Sequence, residues 1–270
     1  MAFQLDGYLE RIGFEDAVQP TLKTLIRLTR LHTRHIPFEN LNPLLGIPVK
    51  LDTASLYEKM VAQKRGGYCF ENNGLFYEAL KSIGFNVEPL AGRVLWNQPE
   101  DKMTAQTHML LHVKINGEDY LTDVGFGGNN PTEPLKFEID SPQSVFLGTY
   151  KYVQHKDHYF LKGFIADQWR TLYRFKPIPS PFIDRKVANW YTSTHPDSHF
   201  TRVLTVARAG KDCRLVLSDN LFKRFYEHRP AEKNKLSTPE EMLEVLKNEF
   251  GLELPPACGL KQRLSRFFDD

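Results

Sequence analysis

The stretch THMLLHVKINGEDYLTDVGFG, Thr107 to Gly127, places Asn116-Gly117 between two runs of apolar and polar residues at strand spacing. Asn-Gly in that setting is the strongest short hairpin signal, because a type I′ turn needs a positive φ at both central positions. A two-residue turn here sets positions summing to 233 opposite each other, so Leu110 faces Asp123. His108 and His112 then share the Asp123 face, each one diagonal step away and within side-chain reach. An imidazole held by a carboxylate has its tautomer fixed and its protonated form stabilised. Register alone leaves the two histidines equal, and a slip of one residue would turn Asp123 to the other face.

Upstream of the hairpin the texture is helical. TLKTLIRLTRLH puts Leu22, Leu25, Ile26 and Thr29 on one face. LDTASLYEKMVAQKRGG offers Asp52 as N-cap, Leu56 and Met60 as an apolar pair, and Gly66 as the stop. CFENNGLFYEALKSIG is a third helix, aligned along Cys69, Asn73, Phe76, Leu80 and Ile83 and ending at Gly84.

Strands take over from about Phe85. WRTLYRF alternates as a half-buried strand, and the Pro-rich KPIPSPF, Lys176 to Phe182, interrupts it. RVLTVAR and CRLVLS read as further strands. STPEEMLEVLKNEFG reads as a helix, with Thr238 as N-cap, Pro239 at the first position and Gly251 at its end. Helices, then antiparallel strands, then mixed structure define an α+β chain.

Bulk composition excludes several functions. At 270 residues and 41% hydrophobic content the chain can bury a sizeable core. A formal net charge of +2 gives no basis for a nucleic-acid or membrane-surface partner. No apolar run approaches the roughly 20 residues that span a bilayer. The opening MAFQLDGYLERIGFEDA lacks the basic and apolar regions of a secretory signal, so a cytoplasmic location is expected. Cys69, Cys213 and Cys258 are too scattered for a disulfide framework or a zinc site, and no metal site is expected.

One of these cysteines calls for a reading of its own. In QKRGGYCFENNG, Gln63 to Gly74, Cys69 stands where a helix begins, after a glycine pair. Helix N-termini favour thiolates, and free N–H groups such as that of Phe70 could meet a developing oxyanion. Equally, Cys69 could be a small buried apolar side chain after a glycine turn. A His–Asp pair on the hairpin shifts the balance toward nucleophilic catalysis. Glu71, two residues further along the helix, faces away from the thiol and reads as structural or surface.

RGGYCFENN (Arg65–Asn73), HTRHIPFENL (His32–Leu41), THMLLHV (Thr107–Val113) and LTDVGFGG (Leu121–Gly128) together resemble the arylamine N-acetyltransferases. The likeness extends through NWYTSTHPDSHF, Asn189 to Phe200, and covers most of the chain in order. It implies a Cys69–His108–Asp123 triad, with His112 a bystander, and a structural pairing of Arg65 with Glu39. It also implies a papain-like thiol-enzyme fold: a helical bundle over 1–85, a central antiparallel β-barrel over 86–185 and an α/β lid over 186–270.

The implied activity is transfer of acetyl from acetyl-CoA to the nitrogen of aromatic amines and hydrazines, by a ping-pong route through an acetyl-Cys69 thioester. Phe38, Val94 and Phe126 are the expected acceptor-pocket residues, since flat apolar walls suit an aromatic ring. Gly127, Gly128, Tyr191 and Ser198 are the expected coenzyme A contacts. The same triad could instead serve a thiol hydrolase or amide synthase, or move another short acyl group.

Overall fold

The computed structural model describes residues 3–254 and 259–268; Cys258 lies outside them. Five helices lead: α1 (Leu5–Ile12), α2 (Leu22–His35), α3 (Leu41–Leu45), α4 (Thr53–Tyr57) and α5 (Cys69–Ile83). α2 starts where the Thr21 hydroxyl accepts the Thr24 N–H, and it buries Leu25, Leu28, Thr29 and His32, with Leu22 and Ile26 at the margin. Asp52 caps α4 as expected, accepting from Ser55 N. The segment does not stay α-helical to Gly66, however. It passes into a π turn over Glu58–Ala62 and ends there. α5 closes at Gly84 in the left-handed region, φ 97°.

The hairpin forms in the register the Asn-Gly turn predicts. β3 (His108–Ile115) pairs with β4 (Glu118–Thr122) from Ile115 opposite Glu118 to Leu111 opposite Thr122. Asn116 and Gly117 both have positive φ, 51° and 83°.

Around the hairpin lie β2 (Asn86–Val94), β5 (Leu135–Lys136), β6 (Gln143–Val145), β7 (Gly148–His155), β8 (His158–Ile165) and β9 (Gln168–Pro179). They form an eight-stranded sheet in the order β5-β4-β3-β2-β9-β8-β7-β6. Its two edges meet through Gln143, whose amide accepts the Lys136 N–H and donates to the Lys136 carbonyl, both at 2.8 Å. A nearly closed barrel results.

β9 departs from simple alternation. Every side chain from Thr171 to Phe175 is buried, because a bulge against β8 and cover on both faces leave no solvent side. The strand also runs on to Pro179, and α6 (Phe182–Thr194) starts three residues later.

The remaining strands make a second sheet, β1 (Phe38–Glu39), β10 (Thr205–Ala209), β11 (Cys213–Ser218), β12 (Leu221–Tyr226) and β13 (Glu232–Lys235), in that order. α7 (Pro239–Asn248), capped by Thr238, and α8 (Leu260–Ser265) pack on it. The two residues of β1 come from the helical region and pair with β10, Phe38 opposite Ala207.

Alternate faces of β3 serve different cores. Met109, Leu111, Val113 and Ile115 pack against α5, while Leu110 joins Leu90, Tyr152, Tyr173 and Phe175 inside the barrel. His108 therefore starts β3 on the barrel's inner face, at the end nearest the α5 N-terminus.

Candidate active site

Cys69 is the first residue of α5, buried among the helices. The turn before it is tightly held. Gly67 N–H donates to the Pro37 carbonyl at 3.2 Å, and Glu39 N–H donates to the Gly67 carbonyl at 3.0 Å. A side chain at Gly66 would strike the Pro37 carbonyl oxygen, 2.1 Å from an ideal Cβ, so the glycine pair lets two backbones close on one another. The chain is thereby delivered to the helix start at a fixed angle.

His108 Nε2 lies 2.6 Å from Asp123 Oδ2, and both side chains are buried. With Nε2–H donating to the carboxylate, Nδ1 is the ring nitrogen left for the Cys69 thiol. Burial opposes a charge on His108. The adjacent Asp123 carboxylate outweighs it, the hydrogen bonds to Asp123 and Cys69 add to the effect, and the imidazole is pushed up to about 10. His108 is therefore protonated at neutral pH. The Cys69 thiol also donates to the Thr107 carbonyl at 3.4 Å.

Asp123 is held from several sides. Its Oδ1 accepts from Asn73 Nδ2 and from Gly125 N–H, each at 2.9 Å. Asn73 also donates to the Met109 carbonyl and accepts from Val124 N–H. One amide on α5 thus ties the β3 backbone, the Asp123 side chain and the loop behind it together. Asn130 Nδ2 donates to the Asp123 carbonyl at 2.6 Å and anchors the same loop further on. Gly125 rests on the nucleophile's own backbone: a Cβ there would stand 2.7 Å from Cys69 Cα.

The tie between the two histidines is resolved by geometry. His112 Nε2 takes Asp119 Oδ1 at 2.7 Å, near the other end of the strand and partly exposed. Only His108 stands beside Cys69 and Asp123.

One of the expected acceptor-pocket residues, Phe126, lies against the triad. The Phe126 ring meets the His108 ring edge-on at 5.3 Å, and Tyr173 completes the trio, 4.7 Å from His108 and 5.3 Å from Phe126. Phe38 packs against Phe200 at 5.8 Å and against Gly127. Val94 pairs with Tyr173, two residues beyond Gly92, which is opposite His108, so it extends the same face of the sheet.

The four expected coenzyme A residues are dispersed. Gly127 and Gly128 line a crevice with Phe38, Val124, Asn130 and Ala207. Tyr191 stacks on His195 at 4.6 Å on α6. Ser198 is buried, its hydroxyl donating to the Thr192 carbonyl and accepting the Phe200 N–H. Asn73, on the Cys69 face of the third helix, is a functional residue absent from the expected site. The helical spacing of Cys69 and Asn73 was the available signal.

Behind the turn, Glu39 Oε1 pairs with Arg65 Nη2 at 2.6 Å. Burial would raise the Glu39 carboxyl, but Arg65 and Lys59 prevail and hold it down at about 2. Glu71 is buried rather than exposed, since its carboxylate turns back to accept the Tyr68 N–H at 3.1 Å. Burial pushes Glu71 up, with Glu39 adding and Lys59 opposing.

A sequence model of the N-acetyltransferase family matches residues 21–258. The arylamine N-acetyltransferase of Mycolicibacterium smegmatis is 42% identical over 265 residues, 96% of this chain and 95% of that protein. The solved structure of Mycobacterium marinum arylamine N-acetyltransferase matches with a TM-score of 0.95 at 38% identity, covering 98% of this chain and 100% of that chain. The same enzyme solved in complex with CoA matches with a TM-score of 0.93 at 38% identity, covering 98% of this chain and 99% of that chain. Fold and relatives together define an acyltransferase. The chain belongs to the arylamine N-acetyltransferase family. Among the described residues, no helix is long and apolar enough to cross a membrane.

Proposed function

We propose that the chain acetylates the nitrogen of arylamines and arylhydrazines by a ping-pong mechanism, with acetyl-CoA as donor and Cys69 as nucleophile. The observation that carries this reading is His108, which bridges the Cys69 thiol and the Asp123 carboxylate inside a buried site. A His108 imidazolium beside Cys69 can pair with a thiolate, the form that attacks carbonyls.

In the first half-reaction the Cys69 thiolate adds to the acetyl carbonyl and the bond to the CoA sulfur breaks. His108 gives its proton to the departing CoA thiolate and becomes neutral. Phe70 N–H, in the first turn of α5 without an intrahelical acceptor, faces the developing oxyanion. In the second half-reaction the amine nitrogen attacks the acetyl-Cys69 carbonyl. His108 takes the amine proton as the carbon–sulfur bond breaks, restoring thiolate and imidazolium. Asp123 orients His108 and offsets its charge throughout.

A thiol suits this sequence because thioester exchanges for thioester at nearly equal energy, so the intermediate keeps its acylating power. An arylamine, uncharged near neutral pH, attacks it directly. Phe38, Val94 and Phe126 are proposed to receive the aromatic ring. The Gly127-Gly128 loop and Tyr191 are proposed to meet coenzyme A, with Ser198 shaping the turn beside them. A relative solved in complex with CoA supports the donor assignment. Cytoplasmic placement is proposed on the same footing, from the thiol chemistry.

The test is CoA release from acetyl-CoA across a panel of aromatic amines and hydrazines, with Cys69→Ala alongside. Amine-dependent release by the wild type and none by the variant supports the reading. Without an amine, release should stop after a single burst of one CoA per Cys69; continued release beyond that burst, or release retained by Cys69→Ala, rejects it.

A further inference from the structure

Lys59 lies on the π turn before the nucleophile segment, and its Nζ reaches two carboxylates at once. It donates to Glu71 Oε1 at 2.8 Å and lies 3.4 Å from Glu39 Oε1. The Lys59 side chain is only 12% exposed, Glu71 2% and Glu39 not at all. Glu39 is already satisfied by Arg65, which lies 2.6 Å from the same oxygen. Glu71 is not: its only cationic partner within ion-pair distance, among the described residues, is Lys59.

The other oxygen of Glu71 is what matters for the thiol. Glu71 Oε2 accepts the Tyr68 N–H, so the carboxylate caps α5 one residue before Cys69. The same side chain presses on the turn: a Cβ at Gly67 would stand 2.6 Å from Glu71 Cβ and 2.9 Å from Oε2. A single carboxylate therefore links the Lys59 ammonium to the backbone that aims the sulfur. π turns recur at functional sites because they rotate a side chain out of the regular helical order. Here the turn carries Lys59.

We propose that Lys59 is a positioning residue for acetyl transfer: by holding Glu71 as the carboxylate cap of α5, it sets the backbone that directs the Cys69 sulfur toward His108. This rests on Cys69 being the acetylated group, and it gives the reaction a dependence on a residue that touches neither substrate nor the triad. The Arg65–Glu39 pair braces the Leu41 side of the turn, where Glu39 Oε2 accepts the Leu41 N–H at 2.7 Å, whereas Lys59–Glu71 braces the Tyr68 side.

The experiment is a double-mutant cycle of Lys59→Met and Glu71→Gln, read in three ways on purified folded enzyme. One readout is the rate of acetyl uptake at Cys69 from saturating acetyl-CoA, the second is the acceptor KM, and the third is the rate of Cys69 alkylation by iodoacetamide. Lys59→Met leaves a buried carboxylate without its partner, and misplacement of a reacting group by an ångström costs roughly 10²-fold. A fall in acetyl uptake of that order is expected, with slower alkylation and an acceptor KM within about twofold of wild type. Glu71→Gln keeps an oxygen to accept the Tyr68 N–H but needs no cation. In that background the loss of Lys59 should cost far less, so the two substitutions are coupled. Lys59→Arg, which keeps the charge, should recover much of the rate.

Should Lys59→Met not fold alone, the Lys59→Met/Glu71→Gln protein and Lys59→Arg still decide the matter. Near-normal uptake and alkylation in both supports the proposal. A double variant as slow as an unpaired Lys59→Met, or effects that simply multiply, overturns it, as does Lys59→Met with wild-type uptake per folded molecule. Iodoacetamide needs no acetyl-CoA. A wild type that alkylates but takes up no acetyl would sink the proposed function while the alkylation cycle still judged Lys59.

Discussion

His108 and Asp123 meet at 2.6 Å across a diagonal of the β3–β4 hairpin, both buried. His112 and Asp119 repeat the same diagonal four residues further along, at 2.7 Å. Both pairs run in the direction that the strand twist shortens. What separates them is surroundings: His108 lies against the start of α5, where Asn73 and Gly125 bring Cys69 and Asp123 together, and His112 lies toward solvent.

Asp123→Asn keeps the Asn73 and Gly125 contacts while removing the charge that holds His108 protonated. By analogy with other nucleophile–His–Asp sites, kcat should fall by roughly 10⁴-fold with the fold retained. His112→Ala should leave kcat within about twofold of wild type, because the partly exposed His112–Asp119 contact it breaks lies away from Cys69 and is worth only ~1 kcal/mol or less. Steady-state kinetics with circular dichroism on both variants checks the pair.

Two buried histidines should affect stability with opposite pH dependence. His108 is raised from 6.5 to about 10, so the folded state binds its proton more tightly and the resulting stability is full below 6.5. It should be lost as pH rises toward 10. His32, between the Tyr8 hydroxyl and the Asn72 amide, is lowered by burial to about 3, so it stays neutral when folded. The unfolded chain takes up its proton below 6.5, and stability should fall as pH drops from there toward 3. Denaturant titrations of wild type against His108→Gln and His32→Gln, across pH 4 to 10 in steps of about one unit, read both trends.

Arg65→Met strands the Glu39 carboxylate in the interior with Lys59 as its remaining cation. Breaking a buried pair from one side costs about 3–5 kcal/mol, and urea unfolding of the folded variant at neutral pH should show a loss in that range. With Glu39 held at about 2 in the native protein, the pair's contribution is present above about 4.5 and should fade as acid takes the pH down toward 2.

Gly125→Ala puts a methyl group where only 2.7 Å separates an ideal Cβ from Cys69 Cα. Overpacking of this kind costs about 1–3 kcal/mol. Because the displaced atoms belong to the nucleophile, acetyl uptake should slow by more than the stability loss explains. Thermal melts and pre-steady-state uptake, measured on one preparation, separate the two effects.

Much of the site could be read along the chain, for physical reasons that differ by residue. Asn116-Gly117 specifies a turn that only one register satisfies, which placed Asp123 on the histidine face. Gly84 and Asp52 mark helix ends by their own backbone and side-chain chemistry. Phe38 and Glu39 could not be read as a strand, since two residues carry no period and their partner β10 lies more than 160 residues away. Helical spacing places Asn73 on the Cys69 face, but a single polar side chain does not name its partners, and neither the Asn73 contacts with Met109 and Asp123 nor the Lys59 contact with Glu71 is marked in the chain. The choice between His108 and His112 needed either the family likeness or the packed structure.

The most direct test of the account is the mass of the Cys69 peptide after brief mixing with acetyl-CoA, before and after an arylamine is added. One acetyl group should appear on that peptide alone, leave when the amine is supplied, and never form in Cys69→Ala. An unmodified Cys69 peptide in an enzyme that nonetheless acetylates amines would contradict the thioester route.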